Sequence, residues 1–487
     1  MAKFNVAEVN NIVRTHEGGV AYSKSMLVDW FDFMFSSYLE DQYYETADEQ
    51  TTRFIDLTRK MIDEYGVEFA MKATIFARNE IGLRSISHLA AAIINEYPSE
   101  NKRVFFKKMC SRPDDISEIF AAIDMICGKR SHALIRGCCD YLCGVNGHIL
   151  AKYKMTDKKY NLFDIINLTH AHSDAITAYK NGNLSAPDTW EVKISGAKSK
   201  QERNSEWKRL VEEGRLGYIA LIRNLRNILK CDVDNEWIEE YLVPAIVNEE
   251  SIIRSKIMPY QIYCSYVATK DMYSLEIYTA LNKAFLLSIG NMPDLDGSSC
   301  IVLDVSGSME NPVSARSHVS ILEMAAVYAT CVYLSCQQNK GNECDIIKFG
   351  TQAGFETSVR PNMSALGMVN TLADRQANWK YGGGTIVSTA MDLISKHYDR
   401  VFVFSDLQAC REYQPFSYGT NGVKEMLART GIENLYSFDL GAYKDITLNS
   451  NDPRVHFITA IDENVLRFIR LIEEGNSIEN YIRNYSL

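Results

Sequence analysis

The hydrophobic pattern of this chain changes period once, and that change divides the fold. Up to about residue 290, apolar side chains recur at three- and four-residue steps, as in Phe69-Ala70-Met71-Lys72-Ala73-Thr74-Ile75-Phe76-Ala77 and Ile86-Ser87-His88-Leu89-Ala90-Ala91-Ala92-Ile93-Ile94. Such spacing lines one face of a helix. Pro113-Asp114-Asp115 ahead of Ile116 reads as a helix start, Gly128 as a stop, and Ile219 to Leu225 as a further helix. No strand is read before residue 290. A long helical stretch without heptads predicts stacked helix pairs of solenoid type, although no fixed sequence period is visible.

The segment Asn291-Met292-Pro293-Asp294-Leu295-Asp296-Gly297-Ser298-Ser299 breaks this pattern. Beyond it, short apolar strands at 299–304, 344–349, 400–405, 434–439 and 454–459 alternate with helical segments at 318–338, 385–397, 420–430 and 462–474. That alternation predicts βαβ units around a mostly parallel sheet. The expected architecture is therefore multidomain: an all-α repeat array over residues 1–295, then an α/β unit over 296–487. A chain of 487 residues is long enough for two or three cores.

Within the α/β unit, Asp304-Val305-Ser306-Gly307-Ser308 directly follows the apolar run Cys300-Ile301-Val302-Leu303. Alternate residues of an extended segment point the same way, so one carboxylate and two hydroxyls can converge beyond the strand end. All-oxygen ligation suits a hard divalent cation, Mg²⁺ above all. Gly382-Gly383-Gly384-Thr385 adds a hydroxyl on a loop, and Val401-Phe402-Val403-Phe404-Ser405-Asp406 adds a carboxylate at another strand end. In parallel α/β sheets ligands bind at the C-terminal ends of strands, where Asp304 and Asp406 both fall. Each loop alone reads as an ordinary capped turn; the three together point to a metal centre. An aspartyl-phosphate enzyme would need a second Asp two residues after the first, and Ser306 stands there.

Composition limits the alternatives. Apolar residues make up 46% and charged residues 23%, as in ordinary globular proteins. The longest oily run, Ile321 to Cys336, is interrupted by Glu323, Thr330 and Ser335, and reads as a buried helix rather than a membrane span. The beginning, Met-Ala-Lys-Phe-Asn-Val, has no basic-then-apolar signal pattern. None of the twelve cysteines forms a C-x-x-C pair, and Cys138, Cys139, Cys143 and His148 lack the spacing of a zinc site. Reduced, mostly buried thiols and a cytoplasmic location are expected.

The net charge of −10 hides a basic block, with 23 Lys and Arg against 14 Asp and Glu between residues 101 and 230. A locally positive surface attracts phosphates over a Debye length whatever the global sign. A solvated helical face rich in Lys accounts for the charge equally well.

The D-x-S-x-S, G-G-G-T and S-D segments, in that order, resemble the metal-ion-dependent adhesion site of von Willebrand factor A domains, which have a Rossmann-like fold. The resemblance implies that Asp304, Ser306, Ser308, Thr385 and Asp406 hold the ion directly or through water. It also implies a last coordination place left for an acidic group on a protein partner. A helical array followed by such a domain is the layout of the Ro autoantigen family, whose helical part is the TROVE module. Four stretches carry the likeness: Glu17-Gly18-Gly19-Val20-Ala21-Tyr22, Arg136-Gly137-Cys138-Cys139-Asp140-Tyr141, Lys152-Tyr153-Lys154 through Thr169-His170, and Ala220-Leu221-Ile222-Arg223-Asn224-Leu225. The chain is identified on them as a divergent member.

That likeness implies HEAT-like repeats bent into a ring closed by the A domain. It implies binding of single-stranded 3′ ends of misfolded or noncoding RNA, and of Y-type small RNAs on an outer basic surface. Lys152 and His170 match positions that contact RNA in the family; Lys154, Lys158, Arg136 and Arg223 are the supporting candidates. A Lys supplies mobile charge for phosphate, and a His stacks on a base or donates to a backbone oxygen. Asn167 stands where the family carries an arginine, and Tyr160 where it carries a tryptophan. The expected protein is a monomeric, non-enzymatic ribonucleoprotein component. The competing expectation is a metal-dependent protein-interaction scaffold that binds no RNA.

Overall fold

The computed structural model describes the chain apart from residues 1–11, 15–19, 24–25, 37–45, 154, 185–188, 273, 293–294, 315–316, 339–341, 407–421, 441–444, 447–451, 453, 460–468, 470–472 and 474–477. Two short strands, β1 (Ile12–Arg14) and β2 (Val20–Ser23), precede helices that run from Met26–Ser36 to Leu275–Ile289. The strands correct the reading of an all-helical start. They form an antiparallel pair, and β2 pairs again with a strand far along the chain, a partnership that local pattern cannot reveal.

The helices form where their periodicity places them. Phe54, Leu57, Met61 and Ile62 line the buried face of Ala47–Tyr65, whose start is held by a reciprocal Thr46–Glu49 capping box. Ser85–Ile94 is buried on nearly every side, as its all-round apolar sequence requires. Its His88 donates to Asp115, 2.9 Å away, at the start of Pro113–Ile126. Asp115 also pairs with Arg78 at 2.7 Å and accepts the Ser111 and Arg112 N–H groups. Burial pushes the Asp115 pKa up, but the His88 hydrogen bond and the Arg78 ion pair outweigh it and hold the carboxyl well below the usual range.

The C-terminal unit contains β3 (Ser299–Asp304), β4 (Cys344–Phe349), β5 (Ala353–Phe355), β6 (Arg400–Ser405), β7 (Leu435–Asp439), β8 (Asp445–Ile446) and β9 (Val455–Thr459). Six of these make one sheet in the order β5-β4-β3-β6-β7-β9, parallel except for the antiparallel edge strand β5. The five strands read from the sequence are all present; the three-residue β5 is added to them. The helical segment read at 462–474 lies almost wholly outside the described residues.

Side chains alternate across the sheet. Ile301, Leu303, Phe402 and Phe404 share one core with the helix Ile321–Gln338 and the N-terminal helices. Cys300, Val302, Val401 and Val403 pack on the other face against Val387, Met391, Met426 and Leu427. Two-sided burial explains why these strands read as continuous apolar runs. Ile321–Gln338 is buried along most of its length, and among the described residues no helix is long and apolar enough to cross a membrane.

The sheet unit touches both ends of the helical part. At one end Tyr263 hydrogen-bonds Glu323 at 3.1 Å, Asn370 donates to the Tyr266 hydroxyl at 2.9 Å, and Tyr278 meets Ser364 at 2.8 Å. At the other, β2 pairs with β8, Met26–Ser36 packs on β9, and Tyr481 and Tyr485 set their rings edge-on to Phe76.

Candidate functional site

From β3 the chain moves outward to β4 and β5, then returns to β6 on the other side of β3. Strand order therefore reverses between β3 and β6, and such a switch point opens a crevice at the C-terminal strand ends. Leu303 is in register with Phe404, so Asp304 and Ser405 are the next neighbours at that mouth. Asp304 is the last residue of β3, and Asp406 follows β6 directly.

The five candidate ligands lie at this mouth and its loops. Asp304, Ser306, Thr385 and Asp406 are buried and Ser308 is half-buried. Asp304 Oδ1 accepts the Ser306 N–H at 2.9 Å, and the Ser306 and Ser308 hydroxyls stand 3.4 Å apart. Ser405 donates to Asp304 Oδ2 at 2.5 Å. The Gly307 N–H donates to the Gly383 carbonyl at 3.0 Å, which ties the D-x-S-x-S loop to the G-G-G-T loop. That second loop lies close over Gly350, where an added Cβ would sit 2.5 Å from the Gly382 oxygen. Burial raises the Asp304 pKa to about 6 against the hydrogen bonds from Ser405 and Ser306.

Among the described residues, no three His, Cys, Asp or Glu side chains gather as a metal cluster. The set here is two carboxylates and three hydroxyls, a donor chemistry that fits Mg²⁺. These residues would hold the ion, and the ion would supply a Lewis-acidic point for an anionic ligand. Ser405 is the neighbour that sequence reading missed; its place beside Asp406 at a strand end was the available signal.

A second concentration of chemistry lies in the helical part. His170 ends the helix Leu162–Thr169 in a left-handed conformation with φ of 57°. It lines a cleft of about 590 Å³ together with Arg103, Arg130, His132, Arg136 and Asp140. Arg103 grips Asp140 through two hydrogen bonds of 2.7 and 2.8 Å, and Arg130 pairs with Asp124 at 2.7 Å. Arg136 is exposed and, among the described residues, has no ion pair. Gly137 permits this arrangement. A Cβ there would lie 2.5 Å from the Arg103 carbonyl oxygen, so only glycine lets the helix His132–Cys143 come so near Lys102–Met109.

The structure thus brings together two of the six RNA candidates, His170 and Arg136. Lys152 pairs with Glu191 at 3.2 Å and Lys158 with Glu118 at 3.0 Å, both away from the cleft lining. Arg223 is exposed on Tyr218–Leu229, and Lys154 lies outside the described residues. Arg103, Arg130 and His132 were not singled out from the sequence; the basic surplus of that region was their only signal.

Residues 151–297 match the sequence profile of the TROVE domain. That stretch, about a third of the chain, is similar to a TROVE domain. The match contains Lys152, Lys158, His170 and Arg223, and Arg136 precedes it. Telomerase protein component 1 of Rattus norvegicus is 30% identical over 88 residues, which are 18% of this chain and 3% of that protein. Its counterpart in Mus musculus is 30% identical over 78 residues, 16% of this chain and 3% of that one. The chain therefore spans only a small part of these curated relatives. Its fold is similar to the crystal structure of the Deinococcus radiodurans Ro (RSR) protein, with a TM-score of 0.63 and 16% identity. That likeness covers 92% of this chain and 99% of the other.

Proposed function

We propose that this chain is a non-enzymatic, cytoplasmic, monomeric member of the Ro group that holds the single-stranded 3′ ends of noncoding or misfolded RNA. The observation that carries the reading is the basic cleft around His170 and Arg136. It sets guanidinium groups beside an imidazole, the means by which proteins grip phosphate and stack bases without reading much sequence. In this reading the helices are HEAT-like repeats closed into a ring by a von Willebrand factor A-like unit. Contacts of that unit with both ends of the helical part support it. Y-type RNAs would bind by charge on the outer basic surface.

The A-like unit would hold Mg²⁺ through Asp304, Ser306, Ser308 and Thr385, with Asp406 acting through water, and would offer the open place to an acidic group on a protein partner. The second reading, a metal-dependent scaffold without RNA, is favoured by the acidic balance of the C-terminal unit, with 16 Lys and Arg against 21 Asp and Glu after residue 300.

A gel shift separates the two. A duplex with a single-stranded 3′ tail should bind more tightly than its blunt form, with affinity falling steeply as salt rises. Equal, negligible binding of both RNAs would leave the scaffold reading in the lead.

A further inference from the structure

The segment between Thr371 and Tyr381 exchanges the usual places of polar and apolar residues. Asn378 is 4% exposed while its neighbour Trp379 is 85% exposed. The exchange is built in rather than frayed. Buried Lys348 donates to the Asn378 side-chain oxygen at 3.0 Å and to the Thr371 carbonyl at 3.1 Å, and is neutralised by Glu356 at 2.9 Å. Asn378 in turn donates to the Leu372 carbonyl at 2.9 Å. Asp374 caps the short turn of helix that follows it, and the Gln352 N–H holds the Tyr381 carbonyl at 2.8 Å. A buried charged network therefore fixes a turn whose outermost group is a tryptophan. Exposed tryptophan on so firm a support is an unusual use of the largest apolar side chain.

Trp379 borders a cleft of about 270 Å³ whose other walls include Val305, Gly307, Glu310, Leu322 and Arg375. Gly307 and Gly383, joined by a hydrogen bond, both line the cleft, so it borders the two loops that carry the candidate ligands Ser306, Ser308 and Thr385. Its floor is apolar. Arg375 is ion-paired with Glu310, and Lys380, the residue after Trp379, is exposed over the Tyr381 ring.

We infer that this cleft is a recognition pocket for an acidic peptide segment, in which Trp379 covers the apolar side chain next to the carboxylate that reaches the cation. The inference rests on the metal reading above and adds to it the residue that selects the ligand's neighbour. Charge favours a peptide over RNA here. The unit is acidic as a whole, and Glu310 and the buried Asp304 and Asp406 surround the approach; a single carboxylate tolerates that field far better than a polyphosphate chain. Exposed Lys380, next to Trp379 and outside the Arg375–Glu310 pair, gives the local complement that an acidic side chain needs.

The test uses the full chain, a peptide-display library and Mg²⁺. Selected peptides should carry Asp or Glu adjacent to a Leu, Met or aromatic residue, and should be released by chelation. Against the best synthetic peptide, Trp379→Ala should lose about tenfold or more in affinity, the scale of one uncovered apolar side chain. Trp379→Phe should recover most of it, and Mg²⁺ affinity by calorimetry should stay the same in both variants. If the parent fails to bind Mg²⁺, the metal reading falls and this inference with it. If Mg²⁺ binds but no acidic-apolar pair is enriched, or peptides bind Trp379→Ala as well as the parent, the inference alone is overturned. Binding of an oligouridine strand that is lost in Trp379→Ala, with no peptide selected, would overturn it in favour of a nucleic-acid platform.

Discussion

Ser405 donates its hydroxyl to Oδ2 of Asp304 across 2.5 Å, joining the ends of β6 and β3 at the point where strand order reverses. The bond orients a buried carboxylate whose other oxygen accepts the Ser306 N–H, so the loop and both strands converge on one group.

Asp304→Ala should therefore abolish Mg²⁺ binding and leave the sheet folded. Calorimetry should show heat of binding for the parent only. Mg²⁺ at a hundredfold excess over its Kd should stabilise the parent by about 2.7 kcal/mol against unfolding and leave the variant unmoved. Equal Mg²⁺ affinity in the two proteins would sink the assignment.

Gly137→Ala forces a Cβ against the Arg103 backbone and the Phe106 side chain. Neither helix can yield without disturbing its core face, so a loss of about 1–3 kcal/mol in denaturant unfolding is expected. Since Arg103 and Arg136 sit on the two helices being parted, affinity for tailed RNA should fall as well. Unchanged stability would show that the helices are less tightly apposed than their backbones indicate.

The double change Lys152→Ala with His170→Ser should weaken binding to a tailed duplex by about tenfold, in keeping with about 1–3 kcal/mol for a lost stacking contact. Because His170 shares its cleft with Arg136 while Lys152 pairs with Glu191, His170→Ser should couple to Arg136→Ala and add independently to Lys152→Ala. Arg136→Ala should also lower the salt slope by about 1. Tight binding by the folded double variant, checked by circular dichroism, would remove both residues from the RNA site.

Asp115 should make the helical part acid-sensitive. Its folded pKa lies below the unfolded value of about 3.9, so its contribution is present above that pH and is lost as pH falls through the folded value. Asp115→Ala, which leaves Arg78 without its buried partner, should cost about 3–5 kcal/mol at neutral pH. The gap between parent and variant in urea unfolding should narrow below about pH 4. A constant gap down to pH 2 would contradict the assignment.

Much of this was written in local sequence. Strands 299–304, 344–349 and 400–405 were legible because burial on both faces makes them uniformly apolar, and helices such as Ser85–Ile94 because their period is short. Asp304, Ser306 and Ser308 could be named as candidates because alternate oxygens at a strand end limit what can be held there. Other features depend on contacts between segments far apart in the chain. β2 finds β8 across more than four hundred residues, and neither has enough apolar pattern to announce itself. His170 and Arg136 come together because Gly137 and the 162–169 helix place them on one cleft, while Lys152 and Lys158, equally basic in sequence, are drawn off by Glu191 and Glu118. The exposed place of Trp379 was decided by Lys348, whose buried charge claims Asn378 and turns the next side chain outward. Periodicity is a property of neighbours along the chain and can be read there. The pairing of charges and the closeness of backbones are set by neighbours in space, which only the folded packing supplies.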